Sequence, residues 1–444
     1  MNRTIHRGKI FTFKDQATIK NIQGLIPDSL FVNNDELELL RDGALIVKDG
    51  LIEKVCDYHE LTEQELDEYK VIDHRPSLIA PGFIDSHMHS TQTSAVGAYG
   101  EQLLDWLEGY IFPSEVAFKS EMSGKREFDI LLKELFKNGT TSICSYLPQS
   151  YDGADLLFEM VDQNNMSAVL GNTIMTDGHP DLITDPKTSM DISEKLCNKW
   201  HNKGGIKYAL TPRFALSTTE ETLGLCQEFM QSHQDVYVQT HLNENKNEIK
   251  DTLAKYPWAQ DYLGVYEKYG LLTDKTILGH CIHMSDSEYS RIKDYGTIMA
   301  NCPTSNNYLG SGLFNYKKAI GDGIKFSFAS DWAAGNTLSM FRVMDDAYKV
   351  GMLKGYKLET LTRWFGATLG SAQTLGLDAE IGSLEKGKKA DFIVINPYRS
   401  DLLSYRLESC YNLLDYLFSI SALGDDRIIE STYISGKKVY SQES

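Results

Sequence analysis

Histidine and carboxylate side chains with metal-binding potential fall at four separated places in the chain. Each place supplies one or two of them within a short motif: His87 and His89 in HMH, His241 and Glu244 in HLNE, His280 in GHCIH, and Asp331 in ASD. Residues two apart in an extended chain point the same way, so both imidazoles of HMH can reach one ion. A nitrogen-rich donor set with one carboxylate suits Zn²⁺, which lowers the pKa of its bound water from about 16 to about 7. The chemistry indicated is hydrolysis by metal-activated water, which needs no serine or cysteine nucleophile.

The elements that carry these residues have to bring them together. Between residues 79 and 376, short apolar runs alternate with longer amphipathic stretches, a pattern typical of parallel strands with crossover helices. The apolar runs number eight: 78–85, 140–146, 166–175, 206–214, 235–242, 275–284, 296–303 and 324–332. Helical spacing of apolar residues between the runs is visible in 124–138 and 338–354. Because eight parallel strands close a barrel, we predict an α/β fold with a TIM-like (β/α)8 barrel over 78–381.

The two chain ends have the two-residue alternation of strands instead. It occurs in five segments: 4–13, 43–49, 51–57, 390–397 and 428–440. Turn residues mark Lys48-Asp49-Gly50 and Ser435-Gly436-Lys437. Neither end is long enough to form a sheet domain easily by itself. We therefore predict that 1–77 and 382–444 together build one small β-sandwich domain, while 16–41 carries no pattern that assigns it an element.

The predicted barrel explains why the metal-competent residues belong to one site. Catalytic side chains of such barrels lie at the C-terminal rim, where the strands end. The four places in question fall at the ends of predicted strands one, five, six and eight. With 11 histidines in the chain, HMH alone is a weak signal, and the four strand ends together carry the prediction. Cys281 and Cys302 lie close to these motifs, and we interpret both as small packing residues.

Charge and cysteine content exclude several classes of function. The chain has 44 basic and 62 acidic residues, a net charge of −18, which disfavours nucleic-acid and membrane partners. Its seven cysteines are scattered, and none form a C-x-x-C motif, which argues against a disulfide framework and a zinc ribbon. Residues 1–15 contain no apolar stretch of a signal peptide, and no run approaches a membrane span. We expect a cytoplasmic protein with a small-molecule substrate.

Longer motifs resemble those of a known family. They are PGFIDSHMHSTQ (81–92), TPRFALS (211–217), QTHLNEN (239–245), GHCIHMSDSE (279–288), NCPTSNNYLGSG (301–312), the segment 367–396 and the segment 422–439. By these motifs the chain resembles the amidohydrolase superfamily, and within it the enzymes that deaminate guanine. The resemblance covers nearly the whole chain. Gln92 and the pair Arg213-Phe214 are the positions that point to guanine among related substrates.

The resemblance implies a role for each site residue. One zinc per subunit, with Fe²⁺ as the alternative metal, is expected on His87, His89, His241 and Asp331. His280 is expected to hydrogen-bond the zinc-bound hydroxide, and Asp331 to accept a proton from the metal-bound water. Glu244 is expected to give its proton to ring nitrogen N3 and then to shuttle a proton to the departing amine. Substrate contacts are expected from Gln92, Arg213, Phe214, His241, Glu244 and Asp331. The resemblance also implies a homodimer.

General chemistry favours the same roles. Attack at C2 of a purine pushes charge onto N3, so an acid must stand beside that nitrogen, and ammonia leaves only once protonated. An arginine fork, an amide and an aromatic face suit a planar polar base. Three positions depart from the family pattern, and one of them, Asn243 in place of the usual serine before Glu244, is expected to have little effect. Asn301 stands where histidine is usual, outside the expected ligand set, and Trp332 follows Asp331 where a smaller residue is usual and is expected to narrow the pocket.

Other functions stay open on the sequence alone. A two-metal amidohydrolase would need a bridging lysine at the end of strand four, but Lys207 lies at the start of that strand. Deamination of 8-oxoguanine, a pterin, a triazine or an adenine derivative is the alternative within the superfamily. A non-enzymatic scaffold is disfavoured because the full ligand set is present.

Overall fold

The computed structural model describes residues 3–27, 29–99, 103–117 and 121–442. Its strands are β1 Arg3–Phe13, β2 Val32–Asn33, β3 Leu37–Lys48, β4 Leu51–Asp57, β5 Lys70–Pro81, β6 Phe83–His89, β7 Thr140–Leu147, β8 Ser167–Ile174, β9 Ile206–Pro212, β10 Tyr237–Leu242, β11 Thr276–His280, β12 Ile298–Asn301, β13 Phe326–Phe328, β14 Phe392–Ile395, β15 Ile429–Ile434 and β16 Lys437–Ser441. They form two sheets of eight strands each.

The helices lie mainly between the barrel strands and after them. They are α1 Ile19–Ile22, α2 Glu63–Glu68, α3 Leu103–Trp106, α4 Phe112–Ala117, α5 Glu121–Lys137, α6 Tyr151–Gln163, α7 Pro186–Trp200, α8 Glu220–Ser232, α9 Lys246–Lys255, α10 Tyr262–Lys268, α11 Asp286–Tyr295, α12 Pro303–Tyr308, α13 Tyr316–Asp322, α14 Met340–Leu353, α15 Thr360–Gly366, α16 Leu369–Thr374, α17 Asp401–Leu407 and α18 Leu413–Leu423. A π-helical turn, Leu107–Ile111, separates α3 from α4. Among the described residues no helix combines the length and the apolar character needed to cross a membrane.

The barrel consists of β6 to β13 in sequence order, and neighbouring strands pair in parallel. Its strands β7 and β8 are buried along their whole length, as expected of parallel strands covered on both faces. Seven of the strands supply residues to a buried apolar layer inside the barrel: Ile84, Cys144, Val169, Ala209, Tyr237, Ile277, Ile298 and Ala300. Residues that follow α15, among them Ala372 and Leu375, close this layer from below. The predicted barrel is confirmed.

The seam between the first and last barrel strands is joined largely by side chains. The Ser86 hydroxyl donates to the carbonyl of Phe328 at 2.8 Å, and the Ser327 hydroxyl donates to Ser86 Oγ at 2.7 Å. Asp85 accepts from the Ser330 backbone N–H at 3.0 Å and from the Ser330 hydroxyl at 2.5 Å. The backbone N–H of residue 331 then donates to the carbonyl of residue 87 at 3.0 Å. These bonds fix the last strand end against the first.

The second sheet is built from both ends of the chain, as predicted. Its order is β16-β15-β14-β5-β1-β3-β2, with β4 paired to β3. The predicted hairpin turns are present, because Asp49, Gly50, Ser435 and Gly436 all have left-handed backbone conformations. Most of strand β5, which lies at the centre of this sheet between β1 and β14, was not predicted. Its last residues, 78–81, were assigned to the first barrel strand, which was wrong, because they pair with β1 and β14 and the barrel strand begins at Phe83. Strand β3 starts at Leu37, inside the stretch 16–41 that the sequence left unassigned. The expected domain boundaries stay a prediction.

All seven cysteines are free, in agreement with the expectation of no disulfide framework.

The chain-end sheet packs on the barrel through α5, where the Thr432 hydroxyl donates to the carbonyl of Phe136 at 2.6 Å. At Gly139, which follows α5 with a φ of +81°, a Cβ atom would lie 3.1 Å from Ile393 of β14. The two sheets are therefore in close contact on this side.

Candidate active site

Imidazole groups from three barrel strands converge at the C-terminal rim. His87 and His89 end β6, His241 lies near the end of β10, and His280 ends β11. Four rim residues adopt left-handed backbone conformations that non-glycine residues rarely take: Asn243, His280, Cys281 and Asp331, with φ between 50° and 69°. Such strain concentrates at functional sites, where it re-aims side chains. Here it redirects the chain as it leaves β10, β11 and β13.

The donor atoms of this cluster have separations that fit one metal ion. His89 Nε2 lies 3.1 Å from His241 Nε2, and Asp331 Oδ1 lies 3.5 Å from His87 Nε2 and 3.7 Å from His89 Nε2. Two donors at about 2.05 Å from a tetrahedral zinc would be about 3.3 Å apart. Both ring nitrogens of His87 are buried without a hydrogen-bond partner among the described residues. A buried imidazole without a protein partner, beside three further donors, fits the role of a metal ligand.

Electrostatics keep these donors in the forms that bind metal. Burial lowers the pKa of His87, and lowers those of His89 and His241 well below the ordinary value, so the three imidazoles are neutral. Burial would raise the pKa of Asp331, but the nearby His87 imidazole and the charge of His280 hold it far below the ordinary value. Three neutral nitrogens and one ionised oxygen are therefore available at neutral pH.

Hydrogen bonds behind the cluster set the orientation of the rings. His241 Nδ1 donates to the carbonyl of Arg213 at 2.5 Å, which leaves Nε2 free as a ligand atom. His280 Nδ1 donates to Asn306 Oδ1 at 3.0 Å. The Ser305 hydroxyl donates to Asp331 Oδ2 at 2.7 Å. Sequence reasoning missed Ser305 and Asn306, although both belong to the quoted motif over 301–312.

Glu244 lies beside the metal cluster without belonging to it. Its Oε2 is 3.4 Å from His280 Nε2, and its Oε1 accepts from the Ser311 hydroxyl at 3.0 Å. The Glu244 backbone N–H donates to Glu248 Oε2 at 3.1 Å, and Glu248 closes the capping box that starts α9. Burial raises the pKa of Glu244 to about 7, which makes its carboxyl able to give and to take a proton near neutrality.

His280 faces two carboxylates. Its Nε2 lies 3.4 Å from Glu244 and 3.8 Å from Asp331 Oδ2, and has no hydrogen-bond partner among the described residues. Burial lowers its pKa, but the charges of Glu244 and Asp331 outweigh burial and raise the pKa above the ordinary value. The ring is therefore suited to hold a proton between the two acids.

A cavity at the C-terminal rim connects these groups with the expected substrate contacts. Its lining comprises His89, Gln92, Leu103, Trp106, Leu107, Arg213, Phe214, His241, Glu244, Glu248, His280, Asp331 and Ala334. Every residue expected to contact the substrate lines this cavity, and His87 lies behind it. The metal donors, the acid and the polar recognition groups thus share one chamber.

The positions that depart from the family pattern lie outside this chamber. Asn301 Oδ1 accepts from the Tyr316 hydroxyl at 2.5 Å, away from the metal donors. The Trp332 indole N–H donates to Thr93 Oγ1 at 3.1 Å. The described residues that line the cavity include Ala334 of the same loop but not Trp332. Lys207 bonds to Asn202 at 2.7 Å near the start of β9, far from the rim where a two-metal site would need it.

Cys302 lies close to the metal donors. The Sγ atom of Cys302 lies within 4.8 Å of donor atoms of His87, His280 and Asp331. It also contacts the carbonyl of Ala300 at 3.6 Å, and we keep the interpretation of Cys302 as a packing residue.

Glu115 of α4 was not identified from the sequence. Its carboxylate accepts hydrogen bonds from Gln92 Nε2 at 2.7 Å and from Arg213 Nη1 at 2.6 Å. Nothing in the local sequence pattern distinguishes this glutamate from a surface one.

Comparison with known proteins agrees with this site. The family model described as "Amidohydrolase family" matches residues 78–439. The guanine deaminase of Escherichia coli (strain K12) is 38% identical over 432 residues, 96% of this chain and 98% of that protein. The structure of E. coli guanine deaminase superposes with a TM-score of 0.92 and 34% identity over 100% of both chains. That of guanine deaminase from C. acetobutylicum with guanine bound gives a TM-score of 0.86 and 29% identity over 99% and 100%. This chain belongs to the amidohydrolase family.

Proposed function

We propose that this protein hydrolyses guanine to xanthine and ammonia, using a single zinc ion on His87, His89, His241 and Asp331. The observation that carries the proposal is the shared cavity, which joins a metal donor set, a protonatable Glu244 and a paired amide and guanidinium. Full-length similarity to guanine deaminases supports the choice of substrate. When bound, zinc supplies a Lewis acid that lowers the pKa of coordinated water from about 16 to about 7.

Recognition of the base falls to three side chains that line the cavity together with the metal donors. Gln92 and Arg213 offer an amide and a guanidinium for the carbonyl and ring nitrogens of guanine. Phe214, whose ring lies 6.4 Å from that of His241, offers an aromatic face for stacking. The apolar wall formed by Leu103, Trp106 and Leu107 excludes water from the chamber.

Proton transfer falls to Asp331, Glu244 and His280. Asp331 is ionised, so it accepts a proton from the attacking water. Glu244, with a pKa of about 7, delivers its proton to N3 as C2 is attacked. Its carboxylate then takes the proton of the hydroxyl group added at C2 and passes it to the amine as the C2–N bond breaks. The proton held by Asp331 returns to Glu244, which restores the starting state. His280, held by Asn306, keeps its Nε2 toward both carboxylates. Water adds, ammonia leaves, and the ring carbonyl of xanthine replaces the amine.

An ammonia-release assay tests this function across guanine, adenine, 8-oxoguanine, pterins and triazines, with conversion followed by ultraviolet absorbance. We expect guanine to give the highest kcat/KM of the panel. A higher kcat/KM on another aminated heterocycle would replace guanine as the substrate, and no ammonia from any of them by the zinc-loaded protein would contradict deamination. The homodimer and the cytoplasmic location stay predictions, the first of which light scattering on the purified protein checks.

A further inference from the structure

A buried carboxylate links the two polar side chains that face the substrate cavity. Glu115 Oε1 accepts from Gln92 Nε2 at 2.7 Å, while Oε2 accepts from Arg213 Nη1 at 2.6 Å. The Glu115 and Arg213 side chains are 10% and 4% exposed, and Gln92 is 1% exposed. Both contacts are short and involve charge, so they are stronger than ordinary amide hydrogen bonds. Glu115 itself is absent from the cavity lining, so it acts from behind Gln92 and Arg213.

This contact decides which atom of the Gln92 amide faces the cavity. An ionised carboxylate only accepts hydrogen bonds, so Gln92 has to turn its NH₂ toward Glu115. The amide oxygen of Gln92 is then the atom left for a ligand. Reversing the amide would place that oxygen against a buried carboxylate and lose a charge-assisted hydrogen bond.

Arg213 is fixed by the same carboxylate and by its neighbours. Its Nη1 is committed to Glu115, its guanidinium lies 5.4 Å from the centre of the Phe112 ring, and Met175 Sδ lies 3.5 Å from Nη1. Its carbonyl is committed as well, because it accepts from His241 Nδ1. The remaining guanidinium N–H groups have no hydrogen bond to the described residues. The cavity therefore presents an acceptor from Gln92 together with donors from Arg213.

We propose that Glu115 is a positioning residue that sets substrate specificity, by locking Gln92 and Arg213 as an acceptor and a donor that match a lactam edge. A lactam edge, C(=O)–NH, offers a carbonyl acceptor beside an N–H donor, and guanine has one at C6 and N1. An amidine edge, C(NH₂)=N, offers an amino donor beside a ring-nitrogen acceptor. Its amino group would face the Arg213 donors, and its ring nitrogen would face the amide oxygen of Gln92. Sites built on fixed hydrogen-bond partners reject such analogues strongly, because buried polar groups are left unpaired. The inference rests on the proposed guanine deamination.

The test compares two substrates that differ only at this edge. Guanine and 2,6-diaminopurine carry the same 2-amino group, but the second has an amidine edge at C6. Zinc-loaded wild-type protein is expected to favour guanine strongly in kcat/KM. In Glu115→Gln the new amide can donate as well as accept, so Gln92 can reverse. We expect this variant to lose about 10- to 100-fold of the guanine preference, mainly through a higher KM for guanine, the range set by one or two charge-assisted hydrogen bonds.

Controls separate this role from a structural one. Glu108→Gln, a change at an exposed position seven residues earlier, is expected to leave both substrates unaffected. Glu115→Asp keeps the charge but is too short to hold both partners, so it is expected to lose preference in the same direction, and it decides the matter if Glu115→Gln does not fold. Equal losses on both substrates, or an unchanged preference in both variants, would overturn the inference. Absence of guanine turnover by the wild type would instead overturn the proposed function.

Discussion

Replacing Glu244 with glutamine tests both the energetics and the chemistry of the site. Glu244 is 3% exposed, and burial raises its pKa from an ordinary 4.5 to about 7. At about 1.4 kcal/mol per pH unit, ionising this carboxyl in the metal-free fold costs about 3 kcal/mol. Glutamine has nearly the same shape and cannot ionise, so Glu244→Gln removes this cost without opening a cavity.

The sign of the effect follows from the raised pKa. Below pH 4.5 the carboxyl is protonated in the folded and unfolded states, so the charge costs nothing. Between pH 4.5 and 7 the unfolded chain ionises while the folded protein keeps the proton, so stability falls as pH rises. Above pH 7 the cost is complete. Urea unfolding of the metal-free proteins should therefore show Glu244→Gln gaining about 3 kcal/mol relative to wild type between pH 4 and pH 8.

The same substitution that stabilises the fold should lower the rate of catalysis. Because Glu244 is assigned both proton deliveries, we expect Glu244→Gln to lower kcat by about 10³- to 10⁴-fold at unchanged zinc content. Glu228→Gln, at an exposed position of α8, is the matched control and should change neither turnover nor the pH dependence of stability. Turnover of the Glu244→Gln enzyme at the wild-type rate would refute the assigned role. An equal response of both proteins to pH would refute the burial argument.

Three further predictions concern the metal and the pocket. Chelator-treated protein should lose all turnover and regain it with Zn²⁺, and greater recovery with Fe²⁺ would overturn the choice of zinc. Gly279→Ala should lower metal occupancy by at least about 10-fold, measured by elemental analysis, because the new Cβ would lie 2.7 Å from the His87 ring, a metal ligand. Gly321→Ala, which meets nothing within 4 Å, should not change it. Arg213→Met should raise the KM for guanine by about 10- to 100-fold, and an unchanged KM would remove Arg213 from substrate binding.

The barrel and its metal donors could be predicted because their signals are periodic and local. Buried parallel strands give continuous apolar runs, and strand ends of such barrels carry the site. The HMH motif follows directly from the two-residue period of β6. The first part of strand β5 gave no such signal, because six of its first seven residues, Lys70 to Pro76, are exposed or half-buried and hide the alternation.

The sequence could not identify residues whose role depends on hydrogen bonds to side chains far away in the chain. Glu115 sits on the six-residue helix α4, and its partners Gln92 and Arg213 are 23 and 98 positions away. Ser305 and Asn306 are small polar residues whose importance comes only from facing Asp331 and His280. Such roles depend on three-dimensional proximity between loops, which no spacing rule encodes.

The seam of the barrel has a consequence for how the protein acquires activity during synthesis. Asp85 and Ser330, which join its two sides, are 245 positions apart in the chain, and the metal donors His87 and Asp331 flank them directly. A growing polypeptide therefore holds three imidazoles without their carboxylate until the eighth strand has emerged and docked. Tight capture of the ion, and with it turnover, is delayed to the closing stage of folding, so truncated products released early should be inert.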